Sequence, residues 1–172
     1  MGNTVNIEEY QQRAVATALP TALNYDYLIP GLVAEVGEVF GKVAKSVRDE
    51  WSRERLQDEL KAELGDCVWF YALLCHVADL EPRDAEAYPE ALRDKEVLQD
   101  LLDATSRIQD LTTWTSLQGS SAWHYWMEIY PSYIARVAMV YEIDMQEILE
   151  YNIEKLESRK ARGKLKGNGD TR

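Results

Sequence analysis

Four acidic residues in two short motifs are the groups in this sequence best suited to chemistry. Glu35 and Glu38 stand three apart in GLVAEVGEVFG, and Glu63 and Asp66 stand three apart in KAELGDCVWFYALL. On a helix, an i,i+3 spacing projects both carboxylates from one face. If the two helices pack antiparallel, as a short connection favours, the pairs can face each other across a bundle. Four carboxylates that close cannot all stay ionised unless cations neutralise them. Hard divalent ions with oxygen ligands, Mg²⁺ or Mn²⁺, suit such a site. Thirty Asp and Glu in 172 residues also generate such spacings by chance. Glu147/Glu150 and Glu154/Glu157 are two further pairs, and both read as solvated surface. The first two pairs differ in flanking an apolar stripe, where an unpaired carboxylate is costly.

The first motif runs on into cations. Glu35, Glu38, Lys42 and Lys45 lie at i, i+3, i+7 and i+10, one continuous stripe. Two carboxylates and then two ammonium groups suit a metal-bound polyphosphate, with metals at one end and free phosphate oxygens at the other. The same spacing also permits an ordinary Glu38–Lys42 ion pair, worth only about 0.2–0.5 kcal/mol. Ala34, Gly37, Gly41 and Ala44 form a small-residue stripe beside it, for tight helix packing or for the close approach of a backbone or ligand.

The elements that must position these groups read as helices almost throughout. Asn6 and Glu9 make a capping box that opens a first helix running towards Pro20. Pro30 fits the first turn of a second helix, in which Leu32, Val36, Val39, Val43 and Val47 recur at helical spacing. Ser52 caps a third, whose buried stripe is Leu56, Leu60, Leu64, Cys67, Tyr71 and Leu74. Pro82 and Pro89 punctuate a loop, and a fourth helix covers about 90–117, up to Gly119. A fifth runs over about 122–142, kinked or split by Pro131. Asp144 and Glu147 open a last helix through about Lys160, followed by an irregular tail with Gly163, Gly167 and Gly169. No segment alternates long enough for a strand, so the fold class is all-α, a bundle of five to six helices.

Composition bounds the function. A chain of 172 residues with 46% hydrophobic and 28% charged residues can bury a core without disulfides or a structural metal. The net charge of −11 argues against nucleic acid as a partner. Residues 153–172 nonetheless carry +4, from seven bases and three acids, either an anion-binding tail or a solvated helix end. The longest apolar stretch, Cys67 to Cys75, has nine residues, far short of the roughly 20 of a membrane span. The start carries no export signal, and Asn6 stands where a myristoylation motif needs Ser or Thr. Cys67 and Cys75, eight apart on one helix, lie roughly 12 Å apart and cannot bridge. The expectation is a reduced, cytoplasmic protein.

GLVAEVGEVFGKVAKSVRDE followed by ELGDCVWFYALL resembles the MazG-like all-α nucleoside triphosphate pyrophosphohydrolases, whose signature is an E-x-x-E pair, a spacer and an E-x-x-D pair. EYQQRAVATALP near the start and NIEKLESRKARGKLKGNGDTR at the end resemble phage and bacterial members. The likeness covers roughly residues 8–79 and 140–172, and the expected domain runs over 1–162. It leaves 83–135 as an insertion and 163–172 as a basic tail. The resemblance implies Glu35, Glu38, Glu63 and Asp66 as ligands of two or more Mg²⁺ ions, Mn²⁺ being possible. It also implies Lys45, Asn152 and Lys155, with Lys42 and Arg162, as phosphate-side contacts. The implied reaction is attack of water on the α-phosphorus of a (d)NTP, giving (d)NMP and pyrophosphate, with Glu38 first choice as general base. It implies a homo-oligomer, dimer or tetramer, placed in the host cytoplasm if phage-encoded.

For the base, dGTP is the first candidate. Gln11, Gln12 and Thr17 could read its edge, with Trp69 or Trp51 as an apolar wall. The aromatic run Trp114, Trp123, Tyr125, Trp126, Tyr130 and Tyr133 suits a subunit interface or a core. Rivals are a sister enzyme acting on dCTP, dUTP or phosphoribosyl-ATP, and a non-catalytic helical interaction bundle. A di-iron carboxylate site fails because Leu73 and Ser121, not Glu, precede His76 and His124 by three. His76 then reads as a packing residue. A cysteine nucleophile is disfavoured by the apolar setting of both thiols.

Overall fold

The computed structural model describes residues 5–85, 94–113 and 120–164. Side-chain caps start five of its helices, each cap worth about 1 kcal/mol. The Asn6 side chain accepts from the Glu9 backbone N–H at 2.8 Å and opens α1, Ile7–Thr17. After a 3₁₀ turn at Pro20–Ala22, Asn24 accepts from the Tyr27 N–H at 3.0 Å and opens α2, Tyr25–Arg48. Ser52 accepts from the Arg55 N–H at 3.2 Å and opens α3, Arg53–Val77. The fourth helix, α4, spans Asp94–Thr113. Ser120 caps α5, Ser121–Val140, and Asp144 caps α6, Met145–Ala161. No strand occurs among the described residues, so the fold is all-α.

Several boundaries differ from expectation for local reasons. Pro30 sits in the sixth position of α2, not its first turn. The Asn24 cap and the burial of Leu28 and Ile29 outweigh the one hydrogen bond a proline removes. Pro131 likewise does not split α5; it is buried within one continuous helix. Asp144 caps through the Gln146 N–H, without Glu147. The apolar stripe of α2 stops short, since Val47 is 77% exposed where the helix runs past its partners. His76 is exposed in the last turn of α3 and packs no core. Pro89, Trp114 and the tail beyond Lys164 lie outside the described residues.

The four-residue connection between α2 and α3 turns through Glu50, in the left-handed region at φ 51°. The two helices return antiparallel, as the pairings Lys42 with Glu59 and Gly31 with Phe70 run in opposite senses along them. Helix α3 is the centre. On one side it meets α1 and α6; on another, α5 packs against it while α4 packs on α2. Helices α4 and α5 thus cover the back of the α2–α3 pair. There Tyr71 stacks on Tyr130 at 6.0 Å, and Tyr130 shares a hydrogen bond with Thr105. Trp123 and Tyr130 are buried, and Trp126 and Tyr133 pack half-buried against the core. Most of the aromatic run therefore serves the core, leaving Tyr125 at 55% exposure.

Glycine matters at one crossing of these helices. A Cβ on Gly31 would run into the ring of Phe70, itself held between Trp69 and Tyr27. Gly37 and Gly41 instead face open space, so the small-residue stripe is not a helix-packing seam. Gly31→Ala is expected to destabilise the protein by about 1–3 kcal/mol through overpacking. Gly37→Ala, gaining only helix propensity, should stabilise it by up to about 1 kcal/mol. Thermal melts of the two variants beside the parent check both signs.

Candidate functional site

The antiparallel α2–α3 pair brings Glu35 opposite Glu63 and Asp66, whose carboxylate oxygens lie within 4.8 Å of one another. Glu63 is buried at 8% exposure, and Glu35 and Asp66 are half-buried. Burial and the neighbouring carboxylates raise the proton affinity of Glu35 and Glu63. Burial, then the charges of Asp66, Glu38 and Glu63, push Glu35 up to about 8. Burial also raises Glu63, against a hydrogen bond from Lys42. Glu38 does not join the three; it is exposed, one turn along α2, yet close enough for its charge to act on both Glu35 and Glu63. An all-oxygen donor set that resists full ionisation on its own fits a hard divalent cation.

The predicted phosphate contacts have separate fates. Lys42 is not paired with Glu38. It bridges Glu59 and Glu63, the latter at 3.1 Å. Burial alone would lower its ammonium, but these two acceptors outweigh that and raise it. Lys45 is exposed on the next turn of α2. Lys155 on α6 holds both oxygens of Asp66 at 2.7 Å. Asn152, one turn earlier, is fully buried and donates to Asp66 Oδ1 at 2.7 Å. Arg162 is exposed beyond α6, its Nε donating to the Ser158 carbonyl. Gln11 ties α1 to α3 by donating to the Ala72 carbonyl at 3.0 Å.

A cavity of about 250 Å³ opens beside Glu35 and Asp66. Tyr27, Trp69 and Phe70 wall it, Thr17 and Leu19 close one side, and Arg159 and Lys164 stand at another. The rings of Trp69 and Phe70 meet edge to face at 4.9 Å. Trp69 Nε1 donates to Thr17 Oγ1, which itself donates to the Ala14 carbonyl. Thr17 and Gln11 are thus already engaged inside the fold. Trp51 lies in the α2–α3 turn under the Arg55 guanidinium, 4.1 Å from its ring centre. The sequence reading missed Tyr27 and Phe70 as cavity walls, Glu59 as a partner of Lys42, and Tyr10, whose hydroxyl holds Asn152 at 2.7 Å. A tyrosine at a core position of the first helix was the available signal for the last.

A larger cavity of about 470 Å³ lies away from the carboxylates, between α5, the starts of α1 and α6, and the Arg83–Ala85 stretch. Both cysteines are buried and free. Burial and the neighbouring carboxylates push Cys67 well above the ordinary thiol range, which removes it as a nucleophile. Among the described residues, no helix is long and apolar enough to cross a membrane.

A model of the MazG nucleotide pyrophosphohydrolase domain matches residues 24–86, which contain both carboxylate helices. The Gene 37 protein of Mycobacterium phage L5 is 36% identical over 85 residues, covering 44% of this chain and 75% of that protein. No solved structure gives a significant match.

Proposed function

Because the chain belongs to the MazG nucleotide pyrophosphohydrolase family, we propose that it hydrolyses a (deoxy)nucleoside triphosphate between the α and β phosphates, releasing (d)NMP and pyrophosphate. The observation that carries this reading is the meeting of Glu35, Glu63 and Asp66 beside an aromatic-walled cavity. Those three residues, with Glu38 at the margin, would hold two or more Mg²⁺ or Mn²⁺ ions. Such ions, when bound, acidify water and neutralise charge on a departing pyrophosphate.

The chain's own groups supply the rest. Tyr27 lies two turns before Glu35 on α2 and Lys45 about three turns after it, some 12 and 15 Å along the axis in opposite directions. A nucleotide laid along α2 therefore sets its base against Tyr27, Trp69 and Phe70. Its triphosphate then passes the carboxylates towards Lys45. Lys155 holds both Asp66 oxygens and would be available to a phosphate oxygen where Asp66 is a metal ligand. Glu38, exposed and outside the three, accepts the proton of the attacking water. In this reading the protein works as a dimer or tetramer in the cytoplasm, that of the host if it is phage-encoded, with a nucleotide and not a nucleic acid as its partner.

The purine preference, dGTP first, is supported only by the extent of the aromatic wall, since the Gln11 amide nitrogen and the Thr17 hydroxyl are already engaged inside the fold. One observation favours a second substrate. Arg159 and Lys164 at the cavity's rim suit the extra phosphate of phosphoribosyl-ATP. A panel of nucleotides measured as kcat/KM decides. We expect dGTP to exceed dCTP and dUTP by roughly tenfold or more. Equal or better use of dCTP or dUTP overturns the purine assignment. Preference for phosphoribosyl-ATP transfers the function to that substrate.

A further inference from the structure

Asp66 is gripped from behind as well as from the cavity side. Asn152 is 0% exposed, so no phosphate reaches it, and both ends of its amide are taken. Its Oδ1 accepts from the Tyr10 hydroxyl and its Nδ2 donates to Asp66 Oδ1, each at 2.7 Å. Tyr10 is also fully buried, and its hydroxyl stands 3.5 Å from the Gly65 carbonyl, next to Asp66 in the chain. Gly65 makes the approach possible. A Cβ there would lie 2.8 Å from Asn152 Cβ and 3.0 Å from Nδ2. Three helices thus converge on one carboxylate through groups that solvent does not touch.

We propose that Tyr10 and Asn152 form a buried relay that positions Asp66, and that Asn152 is a positioning residue and not a phosphate contact. The proposal rests on Asp66 being a metal ligand, as read above. The Tyr10 hydroxyl has two acceptors within reach and donates at the shorter distance to Asn152 Oδ1, while the Asp66 carboxylate only accepts, so the NH₂ end of the Asn152 amide faces Asp66. With the NH₂ end forced towards Asp66, one carboxylate oxygen is held by a neutral donor that does not compete as a charge. Lys155 can then leave Asp66 without freeing the carboxylate to rotate. Partners of this kind orient metal ligands, and their loss typically weakens metal binding by about 10–100-fold.

Mn²⁺ binding to the full chain without nucleotide, followed by electron paramagnetic resonance, separates the two roles. Asn152→Ala is expected to weaken Mn²⁺ binding by about tenfold or more, and Tyr10→Phe, which keeps the ring, by a smaller but measurable factor. At saturating metal both variants should lower kcat more than they raise KM. Tyr10→Phe carries the test if Asn152→Ala does not fold. Unchanged Mn²⁺ affinity in the folded variants, with a raised KM, overturns the relay and leaves the pyrophosphohydrolase reading standing. A parent protein that binds no Mn²⁺ overturns both.

Discussion

Glu35→Gln is expected to lower metal-dependent turnover by about a thousandfold or more while raising the melting temperature of the metal-free protein. The loss follows because an amide lacks the charge a hard cation requires, and several kcal/mol of transition-state stabilisation go with it. The gain follows because Glu35 is half-buried beside two other carboxylates and is already pushed up to about 8. An uncharged amide there escapes the burial and repulsion that a proton or a cation otherwise has to offset. Asp66→Asn should lose activity equally but lower the melting temperature, because Lys155 is deprived of the carboxylate that holds its ammonium. Glu38→Gln should also lose turnover, through the proton step, with little effect on stability at its exposed position. Opposite stability changes with the same loss of activity distinguish a metal site from general damage to the fold. If Glu35→Gln and Asp66→Asn both keep near-parental turnover, these residues are not the metal site.

The stability of the metal-free protein should fall as pH climbs from about 5 to 8. Glu35 and Glu63 both bind protons more tightly folded than unfolded. Their contribution is fully present below the unfolded carboxylate range and is lost as pH rises through the folded value, about 8 for Glu35. Across that window the folded state holds more protons than the unfolded one, which sets the negative slope. The size is roughly 1–3 kcal/mol after discounting for partial solvent access. Saturating Mg²⁺ should flatten the profile, because the ion does the neutralising that protons do at low pH. Glu35→Gln should flatten it too, with no metal added. Urea titrations at three or four pH values, with and without Mg²⁺, measure this directly. A stability that rises from pH 5 to 8 without metal contradicts the electrostatic picture of the cluster.

The helices and the carboxylate pairs could be read from spacing because both depend on neighbours within one or two turns. The Asn6 and Ser52 caps, the stripe of α3 and the i,i+3 acids are local in this sense. Which of the four carboxylates converge was not legible, since it depends on how α2 is rotated against α3. Glu38 falls outside the three for that reason. Lys42 shows the same limit. Its stripe spacing pointed to phosphate, but Glu59, seventeen residues on, reaches it across the helix pair. Asn152 was picked out by likeness alone, and its burial emerges only once α1 and α6 close on α3. The cavity walls Tyr27 and Phe70 come from different helices around Gly31, and no one-dimensional pattern announces such a meeting.

Phosphorus NMR of dGTP incubated with the purified chain tests the central claim most directly, because it reports which anhydride bond breaks and whether the ion is needed. With Mg²⁺ the expected products are dGMP and pyrophosphate, and chelation of the metal should stop their formation. Release of dGDP and orthophosphate, or turnover that persists unchanged under chelation, would contradict metal-dependent cleavage between the α and β phosphates.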